Sequence, residues 1–267
     1  GCVEWSAQRT IDNEIHYFDI EYRKIFAKKG EYIGFFLNLI DTTEKRLAYE
    51  KEKYLATHDT LTGLYNKDYF SVKVAEVLKE KGYATMCVGK WGLGGPHTTG
   101  SPVRKGFDYF FGYLSQGAAH RYYPEYLYEN EDKVMLNKKV YSHFLIMEKG
   151  LNFIRENAHH PFFAYFAITP PHADLDYPDL GQYEDAFPET PFINNKQKGF
   201  KTQMKPKAAY ASMVSEIDKN VGQIIRLLKE KGIWENTIFI FSSDNGVHCV
   251  GGHEPDFFDS NGPYRGY

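Results

Sequence analysis

Apolar and polar positions change rhythm along the chain. In "EIHYFDIEYRKIF" they alternate, with Ile15, Tyr17 and Asp19 on one face and His16, Phe18 and Ile20 on the other, the period of a strand. "EYIGFFLNLI" reads as a second strand after "KKG", a plausible hairpin turn. "DTTEKRLAYEKEKYLATHD" then turns helical. Asp41 followed three residues later by Glu44 predicts a capping box. Leu47 and Tyr54, set among charges, predict a thin-seamed exposed helix suited to a coiled-coil connector.

From residue 71 helix and strand alternate in three units. They are "VKVAEVLKEKG" then "YATMCV", "FLIMEKGLNFIRENAHH" then "FFAYFAI", and "YASMVSEIDKNVGQIIRLLKEKG" then "TIFIF". In the third helix Met213, Ile217, Val221, Ile224 and Leu228 fall at helical spacing, and Gly232 suits a C-cap. "LKEKG" closes a helix twice, at 78–82 and 228–232. The strands are short and apolar throughout, as buried parallel strands are. The order predicts an α/β sheet with helices on both faces.

Each predicted strand runs into polar residues. "GKWGLGG" brings Lys90, "TPPHA" brings His172, and "SSDNG" brings Asp244 and Asn245. Open parallel sheets bind ligands at the carboxyl ends of their strands, so these groups are expected on one rim. Taken singly, each has a plainer reading. Asp244 and Asn245 suit an Asn-Gly turn as well as a hard cation such as calcium or magnesium. His172 suits an exposed loop, Lys90 a solvated surface, and His253, in "GGHEPDFFDSNGP", either a substrate contact or an exposed glycine-rich loop. Taken together, a cation, an imidazole and an oxygen-donor pair point to a tetrahedral oxyanion.

Composition narrows this further. The 267 residues are 42% hydrophobic, enough for a packed core, and the net charge of −3 offers no field for nucleic acid. No apolar run approaches the roughly 20 residues of a membrane span. The first residues lack the layout of a signal peptide. Cys2, Cys87 and Cys249 form neither a disulfide framework nor a zinc pattern. Aromatic residues reach 16%; the Tyr-rich "HRYYPEYLYENEDK" suits a sulfated sugar or simple aromatic packing.

The stretches "AEVLKEKGYATMCVGKWGLGGP", "KGFDYFFGYLSQGAAHRYYPEYLYEN", "PFFAYFAITPPHA" and "ENTIFIFSSDNGVH…GGHEPDFFDSNGPYRGY" resemble the sulfatase family, of arylsulfatase type, over residues 71–267. The resemblance implies an alkaline-phosphatase-like α/β/α sandwich, here incomplete, and hydrolysis of sulfate esters. It implies that Lys90 and His172 contact the sulfate and act in catalysis and that Asp244 and Asn245 bind calcium; His253 is the further candidate for a substrate contact. Where family members often carry "KWHLG", this chain has Gly92. The family nucleophile is a formylglycine made from Cys or Ser in C/S-x-P-x-R. No cysteine here fits that motif, and "GSPVR" at 100–104 has Gly100 in the nucleophile position. The family's paired aspartates on its first strand have no counterpart, and the lysine expected beyond "GPYRGY" would fall past Tyr267. The site is therefore expected to bind without turning over. A phosphodiesterase or phosphatase of the same superfamily is the rival enzyme reading.

Residues 1–70 resemble a different class. Residues 1–40 are similar to the last strands of a PAS domain. Residues 41–70, with "HDTLTGLYN", are similar to a signalling helix and the truncated start of a diguanylate cyclase (GGDEF) domain. The resemblance implies a chimera joined between about Asn66 and Val74, or a signalling protein without hydrolase activity that self-associates through its connector helix. It also implies opposite compartments, since family sulfatases are exported or lysosomal whereas PAS–cyclase modules face the cytoplasm.

Overall fold

The structure, a computed structural model, describes residues 2–194 and 200–264; the last three residues of the sulfatase-like wording, 265–267, lie outside them. The chain divides into two compact units, Gly1–Ser71 and Val72–Tyr267.

In the first unit β1 (Cys2–Ile11), β2 (Glu14–Phe26) and β3 (Tyr32–Asp41) form an antiparallel sheet in that order. Asp12 and Asn13, both at positive φ, make the tight turn between β1 and β2, the geometry that matches strand twist. The "KKG" turn closes with Gly30 N–H donating to Ala27 O at 2.8 Å. α1 (Thr43–Thr57) follows and buries no residue, as its thin seam predicts. The capping box does not form. Thr42 is the N-cap and makes no side-chain cap bond. Asp41 Oδ1 instead accepts from Thr43 N–H at 2.9 Å, while Thr43 Oγ1 accepts from Tyr17 N–H of β2 at 2.9 Å. The helix start is thus tied to the sheet rather than closed on itself.

The second unit begins within α2 (Lys67–Glu80) and continues with β4 (Ala84–Lys90), β5 (Tyr109–Tyr113), β6 (Tyr126–Glu129), β7 (Asp132–Met135), α3 (Ser142–Asn157), β8 (Phe162–Ala167), α4 (Pro206–Glu230) and the short α5 (Pro255–Phe258). Its sheet runs β7-β6-β5-β4-β8. β5, β4 and β8 are parallel, and β6 and β7 add an antiparallel hairpin. Side chains alternate between two helical layers. Cys87 of β4, Phe110 of β5, and Phe163 and Tyr165 of β8 share a cluster with Val72 and Ala75 of α2. Met86, Val88, Phe111 and Tyr113 share another with Ile146 and Phe153 of α3. Helices therefore cover both faces of a mixed α/β sheet.

Both "LKEKG" segments end their helices in the same way. Gly82 and Gly232 sit at positive φ. Gly82 N–H donates to Lys79 O at 2.9 Å and Tyr83 N–H to Leu78 O at 3.0 Å; Gly232 to Lys229 and Ile233 to Leu228 repeat the pair at 3.0 Å each. This double bond satisfies the last carbonyls and needs a left-handed residue at the turn.

Two expectations are corrected. The buried stripe of α4 contains Met213, Glu216, Asn220, Ile224 and Leu227, while Ile217 and Val221 are only half-buried. The polar pair is tolerated because it is bonded. Asn220 Oδ1 lies 2.6 Å from buried His143 Nε2, Asn220 Nδ2 donates to Glu216 Oε1 at 2.8 Å, and Tyr177 OH donates to Glu216 Oε2 at 3.0 Å. The expected third strand, "TIFIF", is not a strand. Residues 237–241 pair with no described residue in a ladder, and Ile238, Ile240 and Phe241 are 89%, 82% and 66% exposed. A strand exists only with a neighbour to bond, and no described strand lies beside this one. Among the described residues no helix is long and apolar enough to cross a membrane.

Candidate functional site

Lys90 is the last residue of β4, paired in register with Tyr113 of β5. The next residue locks that end: Trp91 N–H donates to Tyr113 O at 2.9 Å and its indole Nε1 to Gly100 O at 2.7 Å. His172 follows β8 in the loop after Pro170 and Pro171. Its N–H donates to Thr169 O at 3.0 Å, and its carbonyl accepts from buried Tyr122 OH at 2.8 Å. Its Nδ1 lies 2.7 Å from Ala173 O. A carbonyl only accepts, so Nδ1 carries the proton and Nε2 keeps its lone pair.

The loop after β5 joins the same place. His120 Nδ1 lies 3.2 Å from the same Ala173 carbonyl, and the His120 and His172 rings meet edge to face at 4.6 Å. Arg121 Nη1 donates to Oδ2 of buried Asp174 at 3.1 Å, linking the loops after β5 and β8. His172 lies 4.9 Å from His248, and His248 lies 4.9 Å from His253. The result is a file of four imidazoles. Burial, mainly, holds His172 below the ordinary histidine range; Lys90 and His120 push the same way and Asp244 opposes. His248 is lowered by burial and then by His172. His253 is lowered to about 4, first by burial and then by His248.

Lys90 and Asp244 thus both act on the His172 ring, so the ends of β4 and β8 and the loop after residue 241 share one neighbourhood. Asp244 and Asn245 are exposed there. Ser243 Oγ shapes the turn by donating to Asn245 O at 2.7 Å. His253 is placed differently from a solvent-facing loop histidine. It is 0% exposed and stacks on Tyr210 of α4 at 4.4 Å, and neither ring nitrogen has a hydrogen-bond partner among the described residues.

Gly92 also acquires a neighbour. A Cβ built there would lie 2.3 Å from Gln116 Nε2, so the Gln116 amide stands where a side chain at 92 would go. Gln116, His120, Arg121, Asp174 and His248 were not singled out from sequence. The available signal was "SQGAAHRYYP", which begins just past the apolar run of β5.

Two groups that the family resemblance implies find only part of their partners among the described residues. Calcium takes about six to eight oxygens. Asp244 and Asn245 supply two side chains, and among the described residues no three His, Cys, Asp or Glu cluster to hold a metal. A formylglycine needs a precursor cysteine or serine in its motif. Cys87 is buried in the sheet, its thiol pushed up by burial, and Ser101, beside Gly100, is fully buried.

Comparison with known proteins places this architecture. The family model described as Sulfatase matches residues 51–266, starting within α1. N-acetylgalactosamine-6-sulfatase of Homo sapiens is 29% identical over 209 residues, covering 71% of this chain and 35% of that protein. Arylsulfatase J of Mus musculus is 31% identical over 202 residues, covering 71% and 30%. The crystal structure of Ps i-CgsB in complex with k-i-k-neocarrahexaose superposes with a TM-score of 0.54 at 28% identity, covering 67% of this chain and 41% of that one. The chain spans about a third of the length of these curated relatives. With the family model matching most of its residues, the chain belongs to the sulfatase family.

Proposed function

We propose that this chain carries the sulfate-binding half of a sulfatase site and does not turn over alone. The observation that carries the reading is the convergence on His172, whose imidazole is acted on by Lys90, His120 and Asp244 together. Lys90 offsets the charge of a bound sulfate ester. His172, with Nδ1 bonded to Ala173 O, presents Nε2 to accept or return a proton. Asp244 and Asn245 form part of a calcium site, with magnesium the alternative hard cation, that is short of ligands. His253 acts behind the rim, through His248, in place of a direct contact. The overall architecture is an incomplete alkaline-phosphatase-like sandwich. The substrate is a sulfated carbohydrate; the names of the N-acetylgalactosamine-6-sulfatase relative and of the hexaose complex support a sugar.

The first unit we read as PAS-like strands and a signalling helix opening a truncated GGDEF segment, joined to the sulfatase part as a chimera. Self-association runs through residues 41–57, supported by a helix that buries nothing.

Two measurements test the sulfate site. Purified protein should release no 4-nitrophenol from its sulfate ester, with or without calcium; metal-dependent turnover would refute the missing nucleophile. Inorganic sulfate should bind, and Lys90→Ala should weaken it roughly tenfold, the loss of one charge-assisted contact of about 1.5 kcal/mol. Equal affinity in the variant would remove Lys90 from the site.

A further inference from the structure

We propose that Arg121 is a specificity-determining residue, whose guanidinium takes a second anionic substituent, a carboxylate or a sulfate, on the carbohydrate whose ester lies at Lys90 and His172; the inference rests on the sulfate site proposed above. Asp174 sets the position of that guanidinium. Its side chain is only 2% exposed, and it follows Ala173, the residue whose carbonyl orients both His120 and His172. Its Oδ2 accepts from Arg121 Nη1 at 3.1 Å and its Oδ1 from Lys201 N–H at 2.7 Å. A carboxylate that deep needs a counter-charge and bonded oxygens, and Arg121 and Lys201 supply them.

That bond does not exhaust the arginine. Its side chain is 45% exposed, and Nη1 is one end of a planar fork with five N–H donors. One edge leans on Asp174. The remaining donors keep the geometry that meets a carboxylate or a tetrahedral oxyanion with two parallel bonds. The neighbouring ammonium is committed elsewhere, because Lys201 Nζ bonds Asp176 at 2.6 Å. Both sequence neighbours of Arg121 touch His172. The His120 ring meets its ring edge to face at 4.6 Å, and Tyr122 OH donates to its carbonyl at 2.8 Å. Arg121 itself is drawn aside to Asp174, which places its charge beside the ester position and not on it.

The tyrosines of the same stretch separate in role. Tyr122 is fully buried and stacks on Tyr141 at 5.4 Å, so it packs. Tyr123 is half-buried, with Lys201 Nζ 5.9 Å from its ring centroid. Phe200 meets His120 edge to face at 5.8 Å. Residues 120–123 and 200–201 thus form one wall that carries aromatic rings and a guanidinium. A sugar with a single anion uses Lys90 and leaves Arg121 to water. A sugar with a second anion on the adjoining residue engages both cations.

The test is calorimetric titration of the full chain with disaccharides that share one 6-sulfated hexose and differ at the adjoining residue: a hexuronate, its carboxyl-reduced hexose, and that hexose with a second sulfate. The expected result is that one or both doubly anionic forms bind at least about tenfold tighter than the reduced form; which of them does so identifies the second anion as carboxylate or sulfate. Arg121→Gln, which keeps a donor for Asp174 and removes the charge, should bring that ratio to within about twofold. Arg121→Lys keeps the charge opposite Asp174 and loses the fork, and should retain a ratio of about threefold. Lys90→Ala should weaken all the disaccharides alike and leave the ratio intact. If inorganic sulfate binds and depends on Lys90, but the parent shows no preference or the preference survives Arg121→Gln, the inference is overturned and the sulfate site stands. If neither sulfate nor any disaccharide binds, the sulfate site itself fails and the inference falls with it.

Discussion

Gly89→Ala is expected to unfold the second unit or to cost it at least about 3 kcal/mol, the sum of overpacking and backbone strain. Gly89 is the penultimate residue of β4, at φ +114. A Cβ there would lie 2.0 Å from the backbone oxygen of Ala167 and 2.5 Å from its carbon. Ala167 is the residue opposite in the parallel register of β8, so the obstacle is a bonded strand and not a side chain able to swing away. On the other side Gly112 of β5 pairs with Gly89. The carboxyl end of the sheet therefore closes backbone on backbone, and this closure sets where Lys90, the next residue, projects. Gly95→Ala is the matched control, since nothing lies within 4 Å of its Cβ position; it should change stability by no more than about 0.5 kcal/mol. Denaturant midpoints of the two variants decide the matter. An unchanged midpoint for Gly89→Ala would mean that β4 and β8 are not paired in this register.

Much of the site's placement follows from local pattern. The strands β2 and β3, the turn at "KKG" and both "LKEKG" helix ends are short-range effects, and each forms as the residues alone suggest. Lys90 and His172 lie at and just beyond the carboxyl ends of two paired parallel strands, β4 and β8, as the sheet order suggests; Asp244, which follows no strand, acts on the His172 ring from a loop. What failed depends on distant partners. "TIFIF" has the composition of a buried strand, but a strand requires an edge to bond, and its two neighbours in space are set by the rest of the chain. The β6–β7 hairpin was passed over inside "EYLYENEDKVM", although Asn130 at positive φ makes its turn. In α4 the seam carries Glu216 and Asn220, which a hydrophobic stripe cannot reveal, because their acceptability rests on His143 and Tyr177 elsewhere. The depth of His253 was hidden for the same reason: its glycine-rich loop reads as exposed until Tyr210 covers it.

That burial makes stability of the second unit fall with acid. His253 ionises at about 4 when folded against an ordinary value of 6.5. The unfolded chain therefore binds its proton first as pH drops, and stability declines from about pH 6.5 down to about 4, by about 3 kcal/mol for this ring, and is flat below. Groups around the ring shape the window. His248 faces it and is itself lowered, as is His172 beyond, so both add loss in the same direction. Tyr210 stacks without charge, with Ser260 Oγ 3.4 Å from its hydroxyl. Next in sequence, Glu254 is bonded to the ammonium of buried Lys207 at 2.7 Å and is held below the ordinary carboxylate range by it. Its contribution is lost only at lower pH, which leaves the upper part of the window to the histidines. His253→Phe keeps an aromatic ring against Tyr210 and removes both nitrogens, which face the backbone of Val250 and His248 without a well-formed hydrogen bond. The variant should match the parent near pH 7 and retain about 2–3 kcal/mol more stability near pH 4.5, read as urea midpoints across the range. A parallel decline in the two proteins would show that His253 titrates in the folded state as it does in water, and would place its ring at the surface.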